Sequence, residues 1–327
     1  MWKQRGQFVV LCALALLPVA ANATAATAAH WTVVTQPARL VNGTPVLFRV
    51  TFRATFRGTT PKPVRTLSGT WLGHEIGFAF DAKSRSWFAL AGVSQETKPG
   101  TYILQLHAET AVGKSAGPSV GQSAGKSAGK SAGQPAGQAT SFEKGIRIER
   151  KRYPRVLLKV PGRYTAPSPE DQHQIAEDKG IKTEAFKTVS SEREWDGSFA
   201  PPVVADVSDV FGVERVFNGS VQSTHQGLDF RVPTGTPVEA VNRGRVILAQ
   251  PLFFEGNCVV IDHGQGLLTL YLHLSKFSVK AGDDVTKGQE IGLSGGTGRA
   301  TGPHLHLAVR WQGVYLDPQI LLKLNLP

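Results

Sequence analysis

Five side chains in the last third of the chain have the types and spacings that could build a metal centre. They fall in three clusters: His225-Gln226-Gly227-Leu228-Asp229, Tyr271-Leu272-His273-Leu274 and Gly302-Pro303-His304-Leu305-His306. Imidazole nitrogens and carboxylate oxygens suit zinc, and a catalytic zinc site takes three protein ligands and keeps a fourth position for water. The first cluster offers one ligand of each kind. Residues four apart in a straight strand are separated by about 13 Å, so the chain must turn between His225 and Asp229, and Gly227 is expected to permit that turn. His304 and His306 are two apart, so on a strand both project from one face, about 6.5 to 7 Å apart at the backbone. One of the two can bind metal while the other faces the reacting water. Each cluster alone has a plainer reading: a loop feature, strand packing and a polar strand face. Their occurrence together in one β-rich region points to metal chemistry.

The elements that must position these residues are short strands. From Val203 onward, Thr236 to Val241, Arg245 to Ala249, Asn257 to Asp262 and Leu267 to His273 read as strands. Arg243-Gly244, His263-Gly264 with Gln265-Gly266, and Gly282-Asp283 punctuate them. No long amphipathic helix stands out there. Toward the N-terminus, Val46 to Phe52 and Thr101 to Leu106 also read as strands, with Lys98-Pro99-Gly100 as a turn. Trp71, Phe78, Phe80, Trp87 and Phe88 are expected in a core, and a small antiparallel sandwich fits. From Lys114-Ser115-Ala116-Gly117 to Gly137 a tetrad repeats with variation. Such a stretch buries too little apolar surface to order itself. It interrupts a hairpin that resumes at Phe142, so we read it as an expanded loop, with a basic wall-binding arm as the alternative.

Ser168-Pro169-Glu170-Asp171 is a helix start that Gly180 could end, and Pro201-Pro202 marks a boundary. The expected organisation is all-β. A signal peptide occupies 1–23, and a β-sandwich-like domain occupies 31–149 with its low-complexity loop at 113–140. A connector follows at 150–200, and an antiparallel β-domain at 201–327 carries the chemistry.

The signal-peptide reading rests on Lys3 and Arg5, the apolar run Phe8 to Ala20, and the small-residue site Ala21-Asn22-Ala23. That run is shorter than the roughly 20 residues a membrane-spanning helix needs. An uncleaved anchor is the alternative, and export to the periplasm the expectation. Cys12 falls within the apolar run, and Cys258 within the strand-like Asn257 to Ile261, where it reads as a buried inert thiol. A formal charge of +11 favours anionic partners, and loss of Lys3 and Arg5 would remove two of these charges. Neither a basic helix nor a stacked aromatic pattern suggests nucleic acid. Cell-wall polymer, or peripheral contact with a membrane surface, is the expected partner, with no particular protein partner indicated.

On these residues the segment from Phe211 to Pro318 resembles the lysostaphin-type, or LytM-like, zinc endopeptidases. The likeness is carried by His-x-Gly-x-Asp at 225–229, by Tyr-x-His-Leu at 271–274, and by Gly292-Leu293-Ser294-Gly295-Gly296-Thr297-Gly298 followed by Thr301-Gly302-Pro303-His304-Leu305-His306. The β-rich region ahead of it, and Trp195-x-Gly197-x-Phe199, resemble exported Gram-negative members. The resemblance implies a compact antiparallel β-domain with a groove. It also implies His225, Asp229 and His306 as zinc ligands, His273 and His304 as the non-ligand catalytic pair, and peptidoglycan peptide bonds as substrate. The D-alanyl to diaminopimelate crosslink is the expected bond. His suits both proton acceptance and delivery near neutral pH, and the three clusters contain no Glu for those tasks.

Some relatives carry a Tyr a few residues before the first ligand; here the nearby aromatic is Phe217. Arg215 or backbone N–H groups are candidate oxyanion stabilisers, with a structural role for Arg215 the competing reading. Tyr271 either shares the face of His273 or simply packs in the strand. The glycines from 292 to 302 are followed by no Gly-Lys-Ser/Thr ending and are expected to form a tight turn beside the groove. Two other functions compete. One is a regulator that binds the wall and activates separate amidases. The other is an enzyme covered by its N-terminal half, in which case a 201–327 fragment should be at least as active as the mature protein.

Overall fold

The computed structural model describes residues 29–54, 64–110, 139–187, 190–219 and 221–327. The signal-peptide reading at 1–23 and most of the low-complexity stretch lie outside the described residues.

Two sheets form the N-terminal part. Ala29–Gln36, Pro45–Ala54, Ser86–Gly92 and Ala79–Asp81 make an antiparallel sheet of four strands. The second sheet runs Leu40–Val41, Ala139–Glu149, Gly100–Thr110, Val64–Trp71, His74–Gly77, with only its first pair parallel. Gly100–Thr110 and Ala139–Glu149 pair in unbroken register from Gly100↔Ile148 to Glu109↔Ala139. The low-complexity stretch is therefore inserted between two partner strands, as the sequence pattern implies. Alternation buries Leu104, Leu106 and Ala108 on one face. Phe48 from one sheet meets Trp71 from the other edge-on at 5.2 Å, and the Trp71 indole N–H donates to Gly92 O at 2.9 Å. Phe80 does not join this core: it is 53% exposed and leans on the half-buried Trp87. Trp87 and Phe88 are consecutive in a strand and face opposite sides: Trp87, level with Val50, shares the sandwich side of Phe48 and is half-buried there, whereas Phe88 is buried on the other side against Trp195.

In the C-terminal part, Gly227–Phe230, Leu305–Trp311, Leu267–Leu274, Gly256–Asp262 and Gly244–Leu252 lie side by side, all antiparallel. Leu305, Leu307 and Val309 face the main core, and His306 and Ala308 face the other way. Cys258 is fully buried, and burial pushes its thiol up, which suits an inert packing group. Pro237–Glu239, Glu290–Leu293 and Lys276–Phe277 form a small neighbouring sheet.

The segment before residue 201 is structured and packs onto this sheet system. Arg155–Leu158 pairs parallel to Glu214–Phe217, which pairs antiparallel to Val221–Thr224. The helix Pro169–Ala185 begins as expected, with Asp171 N–H donating to Ser168 Oγ at 3.1 Å. It does not stop at Gly180. A side chain there would meet nothing, so the position is open helix surface, and the ion pair of Lys182 with Glu255 holds the following turn. The anchor is Asp178, a buried carboxylate that accepts Phe253 N–H at 2.5 Å and Gln174 Nε2 at 2.8 Å.

The N-terminal sheets share one core with the C-terminal part. Phe88 meets Trp195 at 6.1 Å and His74 meets Trp311 at 5.0 Å; Gln312 Nε2 donates to Glu75 O, and Lys151 pairs with Asp317. Trp311 is five residues along its strand from His306, roughly 17 Å away.

Replacing Asp178 by Ala leaves the Phe253 N–H buried without its partner. The expected loss is about 1–3 kcal/mol of stability, read from denaturant unfolding of the protein.

Candidate metal centre

His225 lies in the two-residue break between Val221–Thr224 and Gly227–Phe230, and Asp229 lies on the second of these strands, opposite His306. The turn that lets His225 and Asp229 converge therefore falls at His225-Gln226, before the expected hinge Gly227. Gly227 serves a different need. A Cβ there would sit 2.3 Å from His306 Nε2 and 2.5 Å from Leu307 O, so only a bare α-carbon leaves room for the His306 ring.

Three ligand atoms meet. His225 Nε2 is 3.0 Å from Asp229 Oδ1 and 3.1 Å from His306 Nδ1, and His306 Nδ1 is 2.7 Å from the same carboxylate oxygen. His225 Nδ1 lies 2.8 Å from Val210 O and must donate to it, so neutral His225 presents a bare Nε2 lone pair. Burial pushes His306 down to about 4, with Asp229 opposing, so near neutral pH it is uncharged. Burial works to raise the Asp229 carboxyl, but its contacts with His225 and His306 outweigh this and hold it well below the usual carboxylate range. One shared proton cannot satisfy three mutual contacts among acceptors, whereas a cation at their centre satisfies all three. Ligands of a tetrahedral zinc at about 2.0–2.2 Å are spaced roughly 3.3–3.5 Å apart, so a small expansion of the triangle accommodates it.

The second oxygen of Asp229 is also committed. Arg215 donates to Asp229 Oδ2 at 2.6 Å and to Asp209 Oδ2 at 2.5 and 3.1 Å. Arg215 thus ties the ligand carboxylate to a second acid. Asp209 Oδ2 also lies 3.5 Å from His225 Nδ1. This is the structural role that competed with an oxyanion role for Arg215.

His273 and His304 flank the cluster, their ring centroids 4.8 Å apart. His304 Nε2 is 3.9 Å from Asp229 Oδ1, and His304 Nδ1 donates to Gly302 O at 2.8 Å. His273 Nδ1 donates to Thr297 O at 2.8 Å. Both therefore offer a bare Nε2 when neutral. Burial, then repulsion from His306 and His304, pushes His273 down to about 3. His273 has φ +65°, a left-handed backbone, at a bulge where Asn257↔Leu274 gives way to Val259↔Tyr271. The bulge brings His273 to the His306 side. Tyr271 points into the core on the opposite face, where its hydroxyl accepts Val241 N–H at 2.9 Å. Tyr271 is thus a packing residue.

The glycine run folds against protein. A Cβ on Gly298, at φ +70°, would sit 2.3 Å from Gly256 N, so the run locks the Thr297 carbonyl beneath His273. Asp209, Phe254 and Arg299 also border the site and carry no motif that would single them out in the sequence.

Residues 223–318 match the profile of Peptidase family M23. Over 103 residues the chain is 48% identical to the peptidoglycan DD-endopeptidase ShyA of Vibrio cholerae, covering 32% of this chain and 23% of that protein. Over 118 residues it is 40% identical to the DD-carboxypeptidase/endopeptidase Mpg of Neisseria meningitidis, covering 36% and 27%. The matched region thus spans about a quarter of the length of these curated relatives. A crystal structure of a Pseudomonas aeruginosa protein assigned to peptidase M23 superposes with TM-score 0.57 at 27% identity, covering 87% of this chain and 95% of that one.

Arg215→Gln removes the grip on Asp229 while leaving the three ligands in place. Metal affinity is expected to fall about 10–100-fold, as measured by competition with a chromophoric chelator. Acid should destabilise the metal-free protein in a defined window. His263, His273 and His306 are held at about 4, 3 and 4, below their ordinary 6.5. A depressed folded-state value gives stability that is complete above 6.5 and is lost as pH falls toward these values. Denaturant midpoints measured in chelator should therefore decline from about pH 6.5 to 4, and His263→Gln should make that decline shallower.

Proposed function

We propose that this protein, whose residues 223–318 form a Peptidase family M23 domain, is an exported zinc-dependent endopeptidase that hydrolyses peptidoglycan peptide bonds. The D-alanyl to diaminopimelate crosslink is the bond we assign. The observation that carries this reading is the convergence of His225, Asp229 and His306 on one point, with the bare Nε2 atoms of His273 and His304 beside it. The names of the relatives support the substrate class. The basic balance of the chain suits an anionic wall or membrane surface, and the leader-like N-terminus suits the periplasm. Among the described residues no helix is long and apolar enough to cross a membrane.

His225, Asp229 and His306 would hold the metal. Zn2+ bound there supplies a Lewis acid that acidifies water and polarises a carbonyl. Imidazoles bind metal in their uncharged form, so with Asp229 the single anionic ligand the metal's positive charge would stay largely uncancelled. His273 and His304 are held by Thr297 O and Gly302 O in the tautomer whose Nε2 can accept a proton from water and then deliver one to the leaving amine. The Arg215–Asp209 pair holds Asp229 in orientation.

The regulator reading needs none of this apparatus, and the intact ligand set speaks against it. The segment 150–200 we assign to the hydrolytic unit, because Val156 and Leu158 border the site beside Asp209 and His304. A 150–327 fragment should then outperform 201–327 in activity and thermal stability.

Digestion of purified sacculi by the zinc-loaded mature protein should convert crosslinked fragments to uncrosslinked ones, identified by mass. His225→Ala should lose stoichiometric zinc and all cleavage. His304→Ala should keep zinc and lose about 10²–10⁴-fold in rate. Binding of sacculi without cleavage by the zinc-loaded, unmutated protein would favour the regulator.

A further inference from the structure

Three arginines border the site: Arg215 and Arg299 line both depressions, and the exposed Arg231 lines only the one with Asp229 and His304. Arg215 spends its N–H groups on Asp209 and Asp229. The Arg299 guanidinium has no hydrogen bond to, or ion pair with, any carboxylate among the described residues. It lies instead over two aromatic rings, 4.7 Å from the centroid of Phe217 and 4.7 Å from that of Phe254. Its backbone N–H donates to Phe254 O at 2.8 Å, which fixes the root of the side chain. The nearest influential acid, Glu255, is already paired with Lys182. Arg299 also borders both depressions that meet at His273, one containing His225 and His306 and the other Asp229 and His304.

We propose that Arg299 is a carboxylate anchor for the substrate: a preset cation beside the reacting centre that binds a free carboxylate of the peptide flanking the scissile bond. This rests on reading the site as peptide-hydrolysing. Aromatic faces satisfy the charge of a guanidinium but not its in-plane N–H groups, so the fork that pairs with carboxylate stays open. Stacking between two rings restricts the side chain before substrate arrives, which reduces the ordering cost of binding. Burial, and the proximity of Arg215, disfavour the Arg299 charge in the free protein, so an incoming anion is rewarded there. Phe217, the aromatic that precedes the first ligand, serves as one of the two stacking faces. A crosslinked stem peptide offers two sources of the carboxylate: the free C-terminus of a stem, or the second carboxyl of a diamino-diacid residue.

The test uses the zinc-loaded mature protein and a crosslinked peptide in three forms: unmodified, C-terminally amidated, and amidated at the diamino-diacid carboxyl. For the unmutated protein, one amidated form should lose about 10–100-fold in kcat/KM, chiefly through KM, which is the span of one or two charge-assisted hydrogen bonds. The form affected identifies the source. Arg299→Gln should cut the unmodified peptide as poorly as the amidated one and no longer distinguish them, and Arg299→Lys should recover part of the preference. Equal handling of all three forms by the unmutated protein, or full discrimination by Arg299→Gln, overturns the proposal. So does a loss confined to kcat and equal for every form, which would mark a structural or oxyanion role. Calorimetric binding of the same peptides separates this inference from the proposed function. Carboxylate-selective binding abolished by Arg299→Gln without any cleavage would sink the peptidase reading and keep the anchor. Cleavage without selectivity would do the reverse. Should Arg299→Gln not fold, the amide series on the unmutated protein and the Lys variant still decide.

Discussion

Three acceptor atoms held within 3.1 Å of one another repel unless a positive charge lies among them, and much of the surrounding structure resists that repulsion. Val210 O fixes the His225 ring, Gly227 gives the His306 ring its place, and Arg215 draws on the far oxygen of Asp229. Each ligand is thus held from behind by a group that does not touch the centre itself. Such support orients ligands and adjusts their basicity, and it is commonly as critical as the ligands themselves. The strand pair Gly227–Phe230 and Leu305–Trp311 sets the remaining constraint, since the register Asp229↔His306 places two ligands on adjacent strands at one level.

The placement of His273 is a second, costlier arrangement. In the sheet Leu272 pairs with His306, so a regular strand would send His273 to the opposite face with Tyr271. The bulge and the left-handed backbone at His273 reverse this. A non-glycine residue in that conformation costs on the order of 1–3 kcal/mol and persists where its surroundings enforce it. Here His273 N–H donates to Glu255 O at 2.9 Å and the ring donates to Thr297 O. The hairpin end at 253–256 and the glycine loop at 294–298 both meet the strand at this point, and the Gly256–Gly298 approach is tight enough to exclude side chains.

The five residues could be singled out because their types and spacings match what metal chemistry requires, and the structure brings them together; the hydrophobic alternation of the long strands predicted the β architecture. What alternation could not reveal was any feature that depends on which strands become neighbours. Arg215 gave no sign of whether it would meet an oxyanion or a carboxylate, because Asp209 and Asp229 reach it only through strand pairing. Tyr271 was open to two readings, strand packing or a face shared with His273, and one extra residue in a bulge decides for packing. Phe80 looked like core but lies exposed at the sheet edge, leaning on Trp87; Trp87 packs half-buried on the sandwich side, and Phe88 is buried on the other face of the same strand, against Trp195. Gly180 read as a helix stop because glycine weakens helices, but the Asp178 and Lys182 contacts on either side carry the helix past it. Arg299 carried no signal at all, since its significance lies in the rings around it and in the acid it lacks.

These contacts also bear on what the N-terminal part does. Among the described residues, none before 150 borders either depression, and the contacts of the N-terminal sheets gather at the Trp311 end of the strand that carries His306. A cover over the site would have to meet Phe254, Arg299 or His304. The N-terminal part instead meets Trp195, Trp311, Gln312, Asp317 and Gly212. Their shared core makes the junction a packed interface, which favours a fixed orientation over a swinging lid. The walls of the site come from closer by: Val156 and Leu158 on one side, and on the other the 253–255 hairpin end braced by the helix Pro169–Ala185. With Arg215 neutralised by two carboxylates, Arg299 and the exposed Arg231 are, among the described residues, the arginines that border the site without a carboxylate partner, and of these two Arg299 is the one that lines both depressions, held between two rings.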